Sequence, residues 1–199
     1  MKFLQTGDLH LGKFFYEYPL LEDQKHVLKQ LLDELRAEQS AGVPYDALII
    51  AGDVYDRSLP PAEAVQVFSD FLAEVQRTFA ELYVLIIPGN HDSAIRLSYA
   101  QRILEKQRIH IRTDLSRIDE PVIVKDTAFY LMPFLQPASL SVMASESTEN
   151  TGNSGENHET AYLMSQSALA EEAVKRINLT KSNDTANVLV AHLFAAGSV

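Results

Sequence analysis

Along the first two-thirds of the chain, short apolar runs alternate with longer stretches in which apolar residues recur every three or four positions. Phe3–Thr6, Ala47–Ala51 and Leu82–Ile87 have the length and composition of strands. Between the first two, Val27, Leu28, Leu31, Leu32 and Leu35 share one face of a helix expected from about Glu22 to Gln39, ended near Gly42 and Pro44. Between the second and third, Pro60-Pro61 offers a helix start. Val65, Phe68, Phe71, Leu72, Val75 and Phe79 then line one face, better explained as core than as a binding surface. Strand, helix, strand, helix, strand predicts an α/β fold with a largely parallel core. A third helix is expected over about Ala94 to Gln107. Ile109–Ile111, Val122–Val124 and Phe129–Met132 then read as strands joined by short turns, which predicts a second sheet packed on the first.

From Ser145 to Thr160 the chain is rich in Ser, Thr, Asn, Glu and Gly, the composition of a mobile loop. A helix from about Ala161 to Ile177 and a strand over Asn187–His192 follow. The sequence then stops within a few residues, with no closing element. The expectation is a C-terminally truncated domain, residues 1–199 being the incomplete amino-terminal part of a longer protein.

Composition narrows the class. Hydrophobic residues at 46% against 22% charged place the chain among globular proteins. No apolar run approaches the roughly 18 residues of a membrane span, and the amino terminus lacks the long apolar stretch of a signal peptide. A cytoplasmic location away from membranes is the simple expectation. Cysteine is absent, so a metal would have to be held by nitrogen and oxygen donors, a set that suits Mn²⁺, Mg²⁺ or Zn²⁺. The net charge of −10 argues mildly against a nucleic-acid partner, although carboxylates gathered around divalent cations would account for part of it.

Candidate chemistry sits at the carboxyl ends of the expected strands, the edge at which open α/β sheets bind ligands. After the first come Asp8-Leu9-His10, a carboxylate and an imidazole two residues apart. Alone, this pair reads equally well as a turn aspartate beside a surface histidine. After the second come Gly52-Asp53-Val54-Tyr55-Asp56-Arg57; Gly52 permits a tight exit, and the Asp53 carboxylate could bridge two cations through its two oxygens or simply cap a turn. After the third come Pro88-Gly89-Asn90-His91-Asp92. Gly-Asn-His-Asp arises by chance about once in a thousand chains of this length, and turn chemistry explains Gly89 and Asn90 but not His91-Asp92. Asn90 offers a neutral oxygen, and His91 an acid or hydrogen-bond donor for a phosphate. The strand Val188–Ala191 delivers His192. A lone strand-end histidine is more often structural, but here it is the fourth strand to end in donor chemistry. His26, His110 and His158 carry no assigned role.

In this order, from Asp8 to His192, these segments resemble the calcineurin-like metallophosphoesterase superfamily. The opening Met-Lys-Phe-Leu-Gln-Thr-Gly-Asp-Leu-His-Leu-Gly, Ile-Ala-Gly-Asp-Val-Tyr-Asp, Pro-Gly-Asn-His-Asp-Ser with Arg96-Leu97, and Val-Ala-His-Leu-Phe-Ala-Ala-Gly are similar to its SbcD-type nuclease branch. The resemblance implies two mixed sheets packed together and flanked by helices. It implies two divalent cations, Mn²⁺ ahead of Mg²⁺. Asp8 and His10 would bind the first, Asp53 would bridge both, and Asn90 and His192 would bind the second. His91 would stabilise the transition state or protonate the leaving group, Asp56 would orient His91, and Arg57 would contact phosphate. The implied reaction is metal-assisted hydrolysis of DNA ends and hairpins in repair and recombination, with an SbcC-type ATPase subunit as partner and a homodimer formed through the helices at Pro61–Phe79 and Ala94–Gln107. The branch's Gly-His-x-His segment, its DNA-contacting cap and its ATPase-docking helices do not occur in these 199 residues, so a weakened and poorly active centre is expected of the fragment. Another phosphodiesterase or phosphatase on the same scaffold, or a non-catalytic interaction module, are the alternative readings.

Overall fold

Alternating strand and amphipathic helix builds a layered molecule whose donor-bearing loops all leave one edge. The structure, a computed structural model, describes residues 1–135 and 166–194. In chain order its elements are β1 (Phe3–Thr6), a short hairpin of β2 (Phe14–Phe15) and β3 (Tyr18–Pro19), α1 (Leu21–Ser40), β4 (Ala47–Ala51), α2 (Ala62–Thr78) and β5 (Tyr83–Ile87). The small helices α3 (Ala94–Leu97) and α4 (Gln101–Leu104) follow, then β6 (Ile109–Ile111), β7 (Val122–Val124), β8 (Thr127–Met132), α5 (Gln166–Thr180) and β9 (Ala186–Ala191).

Strands β1-β4-β5-β6 form one sheet, parallel throughout, in register Thr6↔Ile50 and Ala51↔Ile87. The second sheet is mixed: β8 runs antiparallel to β7 and parallel to β9, with Met132 opposite Ala191. Strand β4 is apolar on both faces because both are covered. Leu48 and Ile50 meet α1 and α2 through Leu28, Leu35, Phe68 and Phe71, whereas Ala47, Ile49 and Ala51 meet Val122, Phe129 and Val190 of the second sheet. The far face of β8 packs Tyr130 and Met132 on Leu169 and Ala173 of α5. The order is helices, sheet, sheet, helix, as expected of this fold class. Each fully buried Ile or Leu in these layers contributes about 1.5–3 kcal/mol of burial.

Several expectations need correction. Val27 and Val65, placed on the core faces of α1 and α2, are exposed; Phe68, Phe71 and Phe79 are core. The third helix is not continuous: Ala100 takes a left-handed φ of 61°, splitting it into α3 and α4, and Arg108 does so again at 60°. The hydroxyl of Ser98 turns back to the carbonyl of Ile95, a competitor for helical bonding, and the break lets Leu97 and Leu104 both reach the first core. The β2–β3 hairpin was not expected. The Ser145–Thr160 stretch and the first residues of the helix expected from Ala161 lie outside the described residues; from Gln166 that helix runs to Thr180. No helix among the described residues is long and apolar enough to cross a membrane.

Candidate metal centre

Parallel register puts the ends of β1, β4 and β5 at one rim, and the loops continue side by side. The amides of Asp8, His10 and Leu11 donate to the carbonyls of Gly52 (3.0 Å), Asp53 (2.9 Å) and Val54 (2.9 Å). Asp8, His10 and Asp53 take left-handed φ values of 53°, 45° and 49°. Asp and His tolerate that region better than most residues, at about 1–3 kcal/mol each, and strain of this kind collects at functional sites. These turns, rather than simple strand alternation, swing the three side chains inward.

Asp53, 2% exposed, stands at the centre. Its Oδ1 accepts from the amide of His91 at 2.9 Å. Its Oδ2 lies 3.6 Å from His10 Nε2 and 3.6 Å from His192 Nε2. On one side, Asp8 Oδ1 is 3.8 Å from His10 Nε2; Asp8, His10 and Asp53 each offer a donor atom within 4.8 Å of the others. On the other, Asn90 Oδ1 is 3.1 Å from His192 Nε2. Two groups of donors therefore share one oxygen, Asp53 Oδ2. Oδ1 also accepts the His91 amide, so Oδ2 is the oxygen that both donor groups face.

The protons make the arrangement informative. His192 Nδ1 lies 3.0 Å from the Ala51 carbonyl, which can only accept, so Nδ1 carries the hydrogen. In the neutral ring Nε2 then presents a lone pair to two further acceptors, Asn90 Oδ1 and Asp53 Oδ2. Converging acceptors with no proton between them favour a cation. His10 Nδ1 is buried without a hydrogen bond, 3.4 Å from Asp56 Oδ1. Gly52, at φ 91°, lies so close to His192 that a Cβ there would come within 2.5 Å of its Cγ; a Cβ on Gly89 would lie 2.7 Å from Asp53 Cγ. The glycines make room for the donors, and the nitrogen and oxygen donor set fits divalent cations.

Two residues hold the loops. Asp92, 5% exposed, accepts from the amides of Val54 (3.0 Å) and Gly89 (2.9 Å) on Oδ2 and of Tyr55 (2.9 Å) on Oδ1, tying the Asp53 loop to the Asn90 loop. Burial raises its carboxyl above the ordinary range, partly opposed by those three bonds. Gln24 of α1 accepts from the amide of Gly12 (2.9 Å) and donates to the carbonyls of Leu9 (3.1 Å) and His10 (2.6 Å). Sequence reasoning gave neither a role. The fourth residue of Gly-Asn-His-Asp, unexplained by turn chemistry, was a signal for Asp92; Gln24 has none.

The remaining site residues are placed as follows. His91 reaches Asp56 through its carbonyl, with Nδ1 2.8 Å away, whereas the Asp56 carboxylate turns to His10 and to Lys13 Nζ at 3.8 Å. The rings of His91 and His10 meet edge to face at 4.7 Å. Arg57 is exposed and outside the lining of the cavity, about 560 Å³, that opens over Asp8, Asp53, Asn90, His91 and His192. His110 stacks on Tyr83, with ring centroids 5.9 Å apart, away from the centre.

The ends of β1, β4 and β5 in the first sheet and of β9 in the second gather this donor set at one edge, an arrangement suited to a metal-dependent phosphoesterase. Residues 1–190 match the calcineurin-like phosphoesterase family model, and the chain belongs to that family. It is 30% identical over 199 residues to the D subunit of the nuclease SbcCD from Staphylococcus saprophyticus subsp. saprophyticus, covering 100% of this chain and 48% of the relative. It is 29% identical over 197 residues to the protein of the same name from Staphylococcus epidermidis, covering 99% and 47%. The chain thus spans about half the length of these relatives.

Proposed function

We propose that this chain carries the metal centre of a DNA nuclease of the SbcD type, which hydrolyses phosphodiester bonds at double-stranded ends and hairpins in repair and recombination. The observation that carries the reading is the sharing of Asp53 Oδ2 between Asp8–His10 and Asn90–His192. Asp8, His10 and Asp53 hold one divalent cation and Asp53, Asn90 and His192 the other, Mn²⁺ ahead of Mg²⁺. Bound there, such ions supply Lewis acidity to the phosphoryl oxygens and lower the pKa of an attacking water. The protein does the rest. Asp92 and Gln24 keep the donor loops in place, and the Ala51 carbonyl fixes the His192 tautomer. His91 gives its Nδ1 hydrogen to the Asp56 carbonyl, so it can donate from Nε2 only as imidazolium. In that form it holds the transition-state charge or protonates the leaving oxygen. Asp56 orients His91 through its backbone, and Arg57 contacts a flanking phosphate from the exposed side of the loop.

An SbcC-type ATPase and DNA are the proposed partners, on the strength of the relatives' names. A homodimer is proposed across the apolar groove of about 520 Å³ between α2 and α3–α4, where Val65 and Tyr99 are exposed beside Leu72 and Leu97. The test uses the intact protein, stripped with EDTA and resupplied with Mn²⁺ or Mg²⁺, on linear duplex, DNA hairpins and bis-p-nitrophenyl phosphate. Metal-dependent cleavage of DNA is the expected result. Hydrolysis of the small diester alone would point to another phosphodiesterase of the family. Neither metal binding nor DNA binding would leave an interaction module.

A further inference from the structure

Immediately after the loop that bears His10, the chain folds into the β2–β3 hairpin, and all four of its aromatic side chains face solvent: Phe14, Phe15, Tyr16 and Tyr18. Tyr16 is 90% exposed and sits at the turn with a left-handed φ of 54°. Gly, Asn or Asp is the ordinary occupant of such a turn position. Here a bulky ring is kept where it costs backbone energy and contributes no burial. The rings of Phe15 and Tyr16 meet edge to face, centroids 4.9 Å apart at 80°, so they offer faces in two directions.

The hairpin is firmly rooted beside the centre. The Leu20 amide closes its base on the Lys13 carbonyl at 2.9 Å, and Gln24 holds Gly12 at 2.9 Å. Gly12 packs so tightly on the start of α2 that a Cβ would lie 3.0 Å from Pro61 Cδ. Lys13, the residue before Phe14, is a half-exposed cation whose amine lies 3.8 Å from Asp56 Oδ1.

We infer that the β2–β3 hairpin is a stacking platform for unpaired nucleobases next to the scissile phosphate, with Lys13 on an adjoining backbone phosphate. The inference rests on the DNA reading above. An occupant reaching these rings from His10 and Asp56 is the continuation of whatever is being cut. A strand offers repeating flat π-faces and phosphates, and aromatic faces beside a cation accept any base without reading its edge. Frayed ends and hairpin loops supply such bases.

The intact protein is titrated by fluorescence anisotropy, in EDTA so that nothing is cut, with a labelled oligothymidylate and with an abasic strand of equal length. The wild type binds the base-bearing strand at least about tenfold more tightly. The Phe15→Ala/Tyr16→Ala double variant binds both strands alike, and Tyr16→Phe, which keeps both rings, retains the preference. Equal affinity of the wild type for both strands overturns the stacking role while leaving the DNA reading intact, and is the outcome if a protein partner covers the hairpin. A double variant that keeps the wild-type preference overturns it too. Binding of neither strand overturns the stacking role, and the DNA reading falls with it only if the metal-supplied protein also leaves linear duplex and hairpins uncut.

Discussion

Replacing Gly52 by alanine probes the centre without touching a donor atom. The new methyl would sit 2.5 Å from His192 Cγ and 2.8 Å from its Cβ, where ordinary contact begins at 3.4 Å. Because Cβ itself overlaps, rotating the ring brings no relief, and the residue has to retreat by about 1 Å. Retreat breaks the 3.0 Å bond from Nδ1 to Ala51 and draws Nε2 away from Asn90 Oδ1 and Asp53 Oδ2. Displacing one of the three donors on that side is expected to weaken the second cation by at least about a hundredfold, ~2.7 kcal/mol. Alanine at φ 91° adds strain of about 1–2 kcal/mol. Gly42→Ala is the control, since that residue is also left-handed, at 78°, but a Cβ there meets nothing within 4 Å. Calorimetric titration with Mn²⁺ should give two sites in the wild type and in Gly42→Ala but one tight site in Gly52→Ala, and Gly52→Ala should lose more stability in urea than Gly42→Ala, because only its methyl meets a neighbour. Two sites of wild-type affinity in Gly52→Ala would refute the placement of His192.

Three further outcomes are expected. His91→Gln should lower kcat by about 10²–10⁴ with metal stoichiometry unchanged; a loss under tenfold would remove the acid role. Asp92→Asn can keep its carbonyl oxygen on the Val54 and Gly89 amides but turns an NH₂ toward the Tyr55 amide, costing about 1–3 kcal/mol in urea unfolding. A change within ~0.5 kcal/mol would mean the three bonds contribute little. Burial lowers the pKa of His110 below its model-peptide value of about 6.5, so its contribution is present above that pH and is lost as pH falls through the lower folded value. The urea midpoint of the wild type should therefore fall more between pH 7 and pH 5 than that of His110→Phe; parallel curves would contradict it.

The first sheet and its two long helices could be read from the sequence because burial imposes period. Strand β4 is apolar at every position since both faces are covered, and α1 and α2 repeat every three or four residues since only one face of each is. The donor loops were legible because Asp, Asn and His cluster where strands end. Other features follow from tertiary contacts that leave no local mark. The break at Ala100 answers to the core that Leu97 and Leu104 must both reach, and Gln24 acts across 12 to 15 residues of chain. The β2–β3 strands, two residues each, are too short to show alternation. The Asp56 carboxylate faces His10 rather than His91, because the backbone turn that presents its carbonyl to His91 directs the side chain elsewhere.

Crystals soaked in Mn²⁺ and measured at the manganese absorption edge test the shared oxygen most directly. Two anomalous peaks should appear about 3.5–4 Å apart, with Asp53 Oδ2 between them, Asp8 and His10 beside one and Asn90 and His192 beside the other. Saturating manganese that gives no peak among these five side chains, or peaks held by other residues, would contradict the account.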